Sequence, residues 1–318
     1  MKRFLILTAV SLAVIAALAG IYVHLNAQYP HFGRVDGGTI AVFPARDDGS
    51  IEVCGGVRFR IDTGSAVSLL TQKDLERLRA NGAVVTEEWF PSLARDVNGE
   101  MFMAYKRYTV SLPVMSHVLV CDSTGNHYEP TRHRINTIDG MVFLPGVEDQ
   151  GSVIGTDVLE CFVIEYRHEN NAIAFHNTLP SGYKRLAGIS RPKLTNRMIG
   201  CGGRYYIDIT TENNAQSYFI DTGIDDVQIK LPLSDTLMVK APLHTTSYRS
   251  SRGQIPAKYI DEAWVKIGNR AGSHMAYYAT DGEEDYAFNP LTYFNQDILI
   301  DFSGRALYVR PHSRLARR

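Results

Sequence analysis

A chain of 318 residues with 45% hydrophobic and 21% charged residues is long enough for two lobes or one large domain, and a formal net charge of -1 gives no electrostatic footprint for nucleic acid. The basic run at residues 310–318 is short and reads as a solvated end, so nucleic acid is excluded as the expected partner. Cys54, Cys121, Cys161 and Cys201 include no C-x-x-C pair, which removes the usual thiol-redox and zinc signatures; two disulfides in any of three connectivities, or buried thiols, both remain open in an oxidising compartment.

At the N-terminus, Lys2 and Arg3 precede an apolar run over residues 4–25 that only Thr8, Ser11, Gly20 and His24 interrupt. It is long enough to cross a bilayer, and the positive charge on its short side places that end in the cytoplasm and the rest of the chain outside. Ala17-Leu18-Ala19 offers a signal-peptidase site, but the run continues through Ile21, Tyr22 and Val23, which favours an uncleaved anchor. Residues 1–28 are therefore expected to be a single-pass membrane anchor or signal segment. The body is expected on the extracytoplasmic side (the periplasm, in a bacterium), tethered to the membrane or secreted after cleavage.

The body reads as strands with few helical periods. Residues 58–61 form a strand end that runs into Asp62-Thr63-Gly64-Ser65, followed by an aliphatic strand at 66–70 and a helix at 72–80. Asn98-Gly99 is a strong hairpin signal between two strands, the second at 106–112. Residues 121–140, rich in Asn, Thr, His, Arg and Asp, read as a surface-loop insertion. Next come Ser152 to Leu159, an apolar segment with a short helical turn, and strands near 162–166 and 172–175. A polar stretch at 176–196 marks a boundary, giving expected lobes at 29–185 and 186–318.

The second part repeats this order. Residues 218–220 run into Asp221-Thr222-Gly223, a turn centred on Gly253 precedes a strand at 263–267, and Ala287-Phe288-Asn289-Pro290-Leu291 precedes strands at 298–302 and 306–309. The chain reads as an all-β duplication. Trp89, Phe90, Phe102 and Tyr105 read more readily as core than as cleft lining.

Two matched Asp-Thr-Gly triplets point to paired carboxylates. Two carboxyl groups held about 3 Å apart cannot both ionise, so they share one proton and offer an acid and a base together. Such a pair can activate water against a peptide carbonyl. No G-x-S-x-G or H-E-x-x-H motif is present, His127 and His133 read as surface residues, and Gly55-Gly56 and Gly202-Gly203 read as turns. Neither metal nor cofactor is expected.

These residues resemble the pepsin-like and retropepsin-like aspartic proteases over most of residues 53–309. Asp62-Thr63-Gly64-Ser65 looks pepsin-like, Asp221-Thr222-Gly223-Ile224-Asp225-Asp226 looks retropepsin-like, and Val153-Ile154-Gly155 supplies a hydrophobic-hydrophobic-Gly element. The resemblance implies a bilobal pepsin-like acid protease fold of two pseudo-symmetric, β-barrel-like lobes. It implies an aspartic endopeptidase in which Asp62 and Asp221 hold the lytic water, with no covalent intermediate. Thr63 and Thr222 would cross-link the loops, Gly64 and Gly223 would allow close backbone approach, and the Ser65 hydroxyl would hydrogen-bond an outer oxygen of Asp62. Asn98, Gly99 and Phe102 would form a flap over a peptide or protein substrate. With both halves in one chain, the active species is expected to be a monomer.

Three features depart from that pattern. Ile224 stands where a hydroxyl would favour ionised Asp221, which should move activity toward mildly acidic or neutral pH. Asn289-Pro290 stands where Gly is expected, and no tyrosine precedes the flap turn. These departures support an alternative reading, a catalytically impaired pepsin-fold binding or inhibitory protein of the cell envelope.

Overall fold

The computed structural model describes residues 2–27, 39–46, 49–95, 101–122, 125–146, 151–190, 203–212, 215–224, 227–232, 243–250, 253–279 and 286–311. Helix α1 covers Lys2–Ala27, and its described side chains, at 8–21, are all exposed. That described part is about 21 Å long at ~1.5 Å per residue. Among the described residues no helix is long and apolar enough to cross a membrane.

The remainder is built almost entirely from strands. In chain order the first half contains β1 (Thr39–Pro44), β2 (Ser50–Glu52), β3 (Arg58–Ile61), β4 (Leu69–Leu70), α2 (Gln72–Ala80), β5 (Val84–Arg95), β6 (Met101–Asp122), β7 (Gly125–Pro145), β8 (Ser152–Ile154), α3 (Thr156–Leu159), β9 (Val163–Arg167) and β10 (Ala172–His176). The second half contains β11 (Lys184–Ser190), β12 (Tyr206–Thr211), β13 (Ala215–Ile220), β14 (Ile229–Leu231), β15 (His244–Ser250), β16 (Gly253–Ile267), β17 (Arg270–Ala279), β18 (Ala287–Phe288), α4 (Pro290–Tyr293), β19 (Ile298–Asp301) and β20 (Ala306–Val309). The all-β class read from the sequence holds.

The strand order repeats between the halves. One sheet runs β2-β3-β8-β4-β7-β6-β5, and a stretch of the larger sheet runs β12-β13-β18-β14-β17-β16-β15. The pairing senses repeat too: β3–β8 and β13–β18 are parallel, β4–β8 and β14–β18 antiparallel, β4–β7 and β14–β17 parallel. The remaining strands form a run β1-β10-β9-β19-β20-β11 that joins the halves, its central pair meeting antiparallel with Ile164 opposite Ile300.

Local chemistry explains the elements that place the triplets. Helix α2 starts at Thr71, whose hydroxyl accepts from the Asp74 amide at 3.2 Å, and it buries Leu75 and Leu78 on one face. The strand expected at 66–70 is only Leu69–Leu70. Upstream, polar groups take the backbone out of the ladder: the Ser68 amide donates to Asp157 Oδ2 at 3.0 Å and the Ser65 hydroxyl to the Val67 carbonyl at 2.7 Å. The insertion expected as a loop at 121–140 is instead the end of a long hairpin, with β6 and β7 paired from Tyr108 opposite Phe143 out to Asp122 opposite Gly125. Polar side chains do not oppose a hairpin ladder, because backbone groups satisfy each other and both faces can meet water.

One large core cluster runs through both halves and includes Phe59, Ile61 and Ile154 as well as Ile220, Ile229 and Phe288. The opposite faces of the same strands carry smaller clusters: Val67, Leu69, Ala104, Leu144 and Val153 in the first half, and Phe219, Ile224, Val227, Ala257 and Ala287 in the second. Cys161 is half-buried against the main core, while the side chains of Cys54, Cys121 and Cys201 lie outside the described residues.

Candidate active site

Strands β3 and β13 deliver the two triplets to equivalent places. The amide of Asp62 donates to the Ile154 carbonyl at 3.1 Å, and the amide of Asp221 donates to the Phe288 carbonyl at 2.9 Å. Each loop is then tied to the other. The Thr63 amide donates to the Thr222 hydroxyl at 3.1 Å and the Thr222 amide to the Thr63 hydroxyl at 3.0 Å. Each hydroxyl passes its own proton across the junction, Thr63 to the Ile220 carbonyl at 2.9 Å and Thr222 to the Ile61 carbonyl at 2.7 Å. Both threonines are buried, so these groups satisfy one another where water cannot.

The glycines confirm how closely the loops meet. A Cβ added to Gly64 would lie 2.5 Å from Asp221 Oδ1, and one added to Gly223 would lie 2.6 Å from Asp62 Oδ2. Each glycine is thus the surface on which the other half's carboxylate rests, and no larger residue fits. The two carboxyl groups hydrogen-bond each other.

Their surroundings differ. Asp62 Oδ1 accepts from the amides of Gly64 at 2.8 Å and Ser65 at 3.1 Å, whereas Asp221 Oδ1 accepts from the amide of Gly223 at 2.9 Å. Ser65 supports Asp62 through its amide; its hydroxyl turns to Val67, which corrects the expected hydroxyl bond to Asp62. Burial pushes the Asp62 carboxyl above the ordinary range, against the opposing effect of Arg60 and the two amides. Burial and the adjacent Asp62 charge push Asp221 up to about 8, against the Gly223 amide, Arg204 and Lys230. Two carboxyl groups this close cannot both ionise, so the pair shares one proton.

Bracing residues that the sequence did not single out complete the site. In the first half the Thr156 amide donates to the Ser65 carbonyl at 2.9 Å and its hydroxyl does so at 3.1 Å, while Ser68 hydrogen-bonds Asp157 Oδ1 at 2.7 Å. Burial pushes the Asp157 carboxyl up to about 7, against the hydroxyl and amide of Ser68 and the Val158 amide. In the second half Pro290 stands in the place of Thr156 and has no N–H. The Asn289 side chain supplies the missing bond, its Nδ2 donating to the Ile224 carbonyl at 2.6 Å while its Oδ1 accepts from the Leu291 amide at 3.0 Å. Asn289-Pro290 is therefore a substitute brace. Ile224 is buried in the Phe219 cluster.

The expected flap residues are only partly visible. Strands β5 and β6 pair antiparallel up to Arg95 opposite Met101, and Asn98 and Gly99 lie outside the described residues. Phe102 pairs with Ala94 on the hairpin arm, and its side chain is not among those described. Trp89 is 76% exposed and Tyr105 61% exposed, so neither is a core residue as their spacing suggested. Asp225 and Asp226 lie outside the described residues, as do the side chains of His127 and His133. Among the described residues no group of His, Cys, Asp or Glu is arranged to hold a metal ion.

No family model matches this chain, and no curated protein matches it. Among solved structures the chain is similar to basic 7S globulin from soybean, at 10% identity and a TM-score of 0.46, over 86% of this chain and 97% of that one. The resemblance to pepsin-like and retropepsin-like proteases is corrected on this ground: no family model and no curated protein carries it. Triplet motifs are too short to establish descent. The dyad geometry is independent of that question.

Proposed function

We propose that this protein is an endopeptidase that hydrolyses peptide bonds with water activated between Asp62 and Asp221. The observation that carries the reading is the reciprocal packing of each carboxylate on the other half's glycine. In the proposed reaction Asp62, held by two amides, takes a proton from water as the oxygen attacks the peptide carbonyl carbon. Asp221 gives its proton to the carbonyl oxygen, forming a tetrahedral diol. Collapse of the diol breaks the C–N bond, with a proton passing to the leaving nitrogen, and restores the shared proton.

The repeated strand order supports a two-lobed arrangement, one half to each lobe, with the dyad where they meet. On this reading a single chain holds the whole site and works as a monomer. The apolar run at residues 4–25 supports placing α1 as the membrane anchor of an extracytoplasmic body.

The test is cleavage of an unfolded protein substrate by the full chain in detergent, compared with Asp62→Asn and Asp221→Asn. Loss of at least about 1000-fold in each variant is expected if the two carboxylates act as acid and base. Undiminished cleavage by either variant overturns the proposal, and binding of peptides without cleavage by the unaltered chain identifies a binding module instead.

A further inference from the structure

The two halves back their Asp-Thr-Gly loops with different chemistry. Six places beyond Asp221 stands the buried Val227, and three places beyond the end of β18 stands the partly buried Leu291. The same places counted from Asp62 and from the end of β8 hold Ser68 and Asp157. One half therefore fills both positions with aliphatic side chains, and the other puts a hydroxyl and a carboxyl there.

Asp157 receives three hydrogen bonds. Its Oδ1 accepts from the Ser68 hydroxyl at 2.7 Å and the Val158 amide at 2.9 Å, and its Oδ2 accepts from the Ser68 amide at 3.0 Å. The Ser68 hydroxyl itself accepts from the Gly155 amide at 2.9 Å, which leaves its one proton for Asp157. A carboxylate satisfies all three donors, whereas a protonated carboxyl has its own proton to place and must weaken at least one of these bonds. Burial pulls the other way and pushes the group up to about 7, with the charge of Glu160 at the end of α3 acting in the same direction. Of the other charged groups on neighbouring elements, Asp74 on α2 is taken up by the Ser152 hydroxyl at 2.7 Å, while Arg60 acts on Asp62 and Arg204 on Asp221. Asp157 as a residue is half-buried, not sealed, so a proton can reach it from water.

These bonds hold the back of the Asp62 loop. Ser65, whose amide donates to Asp62 Oδ1, has its carbonyl fixed by the amide and hydroxyl of Thr156, and the Thr156 hydroxyl accepts from the Gly203 amide at 3.1 Å. A Cβ added to Gly155 would lie 2.5 Å from the Val67 carbonyl oxygen, so residues 65–68 and 155–157 run in backbone contact. We infer that Asp157 is a positioning residue that holds the Asp62 loop through its charge: ionised, it clamps Ser68 and keeps the Ser65 amide aimed at Asp62, and on taking up a proton it releases the clamp and slows turnover. Turnover here rests on the endopeptidase reading, but the clamp is a property of the loop and is measured without substrate.

The first measurement is amide exchange of residues 62–70 in the full chain in detergent, read by mass spectrometry and corrected for the intrinsic pH dependence of exchange. Protection is expected to rise about 10-fold from pH 6 to pH 8 in the unaltered chain, and Asp157→Asn should remove most of that rise. The dyad titrates in both proteins, so the difference between them isolates Asp157. Ser68→Ala removes one donor to the carboxylate and should move the midpoint up by about one pH unit. The second measurement is peptide cleavage at pH 7.5, where Asp157→Asn should lower kcat about 10-fold and leave KM within about twofold. A flat protection profile in the unaltered chain, or a rise that Asp157→Asn leaves in place, overturns the inference, and the first of these decides even where the variant fails to fold. The expected exchange difference without cleavage at any pH removes the endopeptidase reading and leaves the clamp standing. Cleavage with a kcat indifferent to Asp157→Asn overturns the positioning role and leaves the endopeptidase reading standing.

Discussion

The hydroxyls of Thr63 and Thr222 each accept the other residue's amide, at 3.0 and 3.1 Å, so neither Asp-Thr-Gly loop can hold its shape without the other half. Thr222→Val keeps the volume but leaves the Thr63 amide and the Ile61 carbonyl without their partners in a buried place. At about 1–3 kcal/mol for each of the two orphaned groups, the variant should lose about 2–6 kcal/mol of stability in denaturant titration. Peptide hydrolysis should fall at least about 10-fold, because the carboxylates are positioned by these loops. Thr222→Ser, which retains the hydroxyl, should lose less than about 1.5 kcal/mol and keep most activity.

The dyad predicts a pH profile displaced from strong acid. Burial raises both carboxyls, and the Asp62 charge adds to the effect at Asp221, which reaches about 8. Activity needs one proton on the pair, so kcat/KM should rise above the ordinary carboxylate range and fall again near pH 8. A maximum near pH 2 would refute this. The same shift sets a stability dependence. A carboxyl with a raised folded pKa binds its proton more tightly when folded, so stability is fully present below the unfolded pKa, about 4, and declines as pH rises toward 8. Asp221→Asn removes that decline. It should therefore unfold at a higher temperature than the unaltered chain at pH 7.5 and at about the same temperature at pH 4.

Much of this site is legible in the sequence because it rests on residues with narrow conformational uses. Asp-Thr-Gly at the end of an apolar run marks both loops, and helix α2 lies at Gln72–Ala80 as read, since Thr71 caps it and Leu75 and Leu78 share a face. What escaped depends on register. The family resemblance implies a Ser65 hydroxyl bond to Asp62, but in the closed loop that hydroxyl donates to the Val67 carbonyl at 2.7 Å. The hairpin of β6 and β7 was missed because polar composition marks exposure to water, and an exposed hairpin satisfies that as well as a loop does.

Asn289 offers a direct test of the substitute brace. Its Nδ2 donates to the Ile224 carbonyl at 2.6 Å, the bond that the Thr156 amide makes to Ser65 in the other half. Asn289→Ala should cost about 1–3 kcal/mol, from the unpaired buried carbonyl and the lost cap of α4. Asn289→Gly restores the residue type of the first half but should be no better, because Pro290 still lacks an N–H. The double change Asn289→Gly with Pro290→Thr supplies the N–H and should recover part of the loss. Equal stability of the double variant and Asn289→Gly in denaturant titration would show that the brace is not the cause.

The sheet that joins the halves carries a buried ion network centred on Glu165. Glu165 on β9 accepts from His176 Nε2 at 2.9 Å, Tyr183 at 2.5 Å, Arg167 Nε at 2.9 Å and Arg310 at 3.1 Å, and Arg310 also pairs with Asp297 at 3.0 Å. Burial alone would raise the Glu165 carboxyl, but the hydrogen bonds from His176, Arg167 and Tyr183 outweigh it and hold the group at about 2. Its stabilising effect is present above the unfolded pKa, about 4.3, and is lost as pH falls through that value toward 2; the interval corresponds to about 3 kcal/mol. Glu165→Ala should cost about 3–5 kcal/mol at pH 7, because the arginines and Tyr183 lose a buried acceptor. The difference in unfolding free energy between the two proteins should narrow steadily between pH 4.3 and pH 2. A gap that stays constant across that range would mean that Glu165 contributes by packing alone, and that the two halves are held by the β9–β19 ladder without help from its charge.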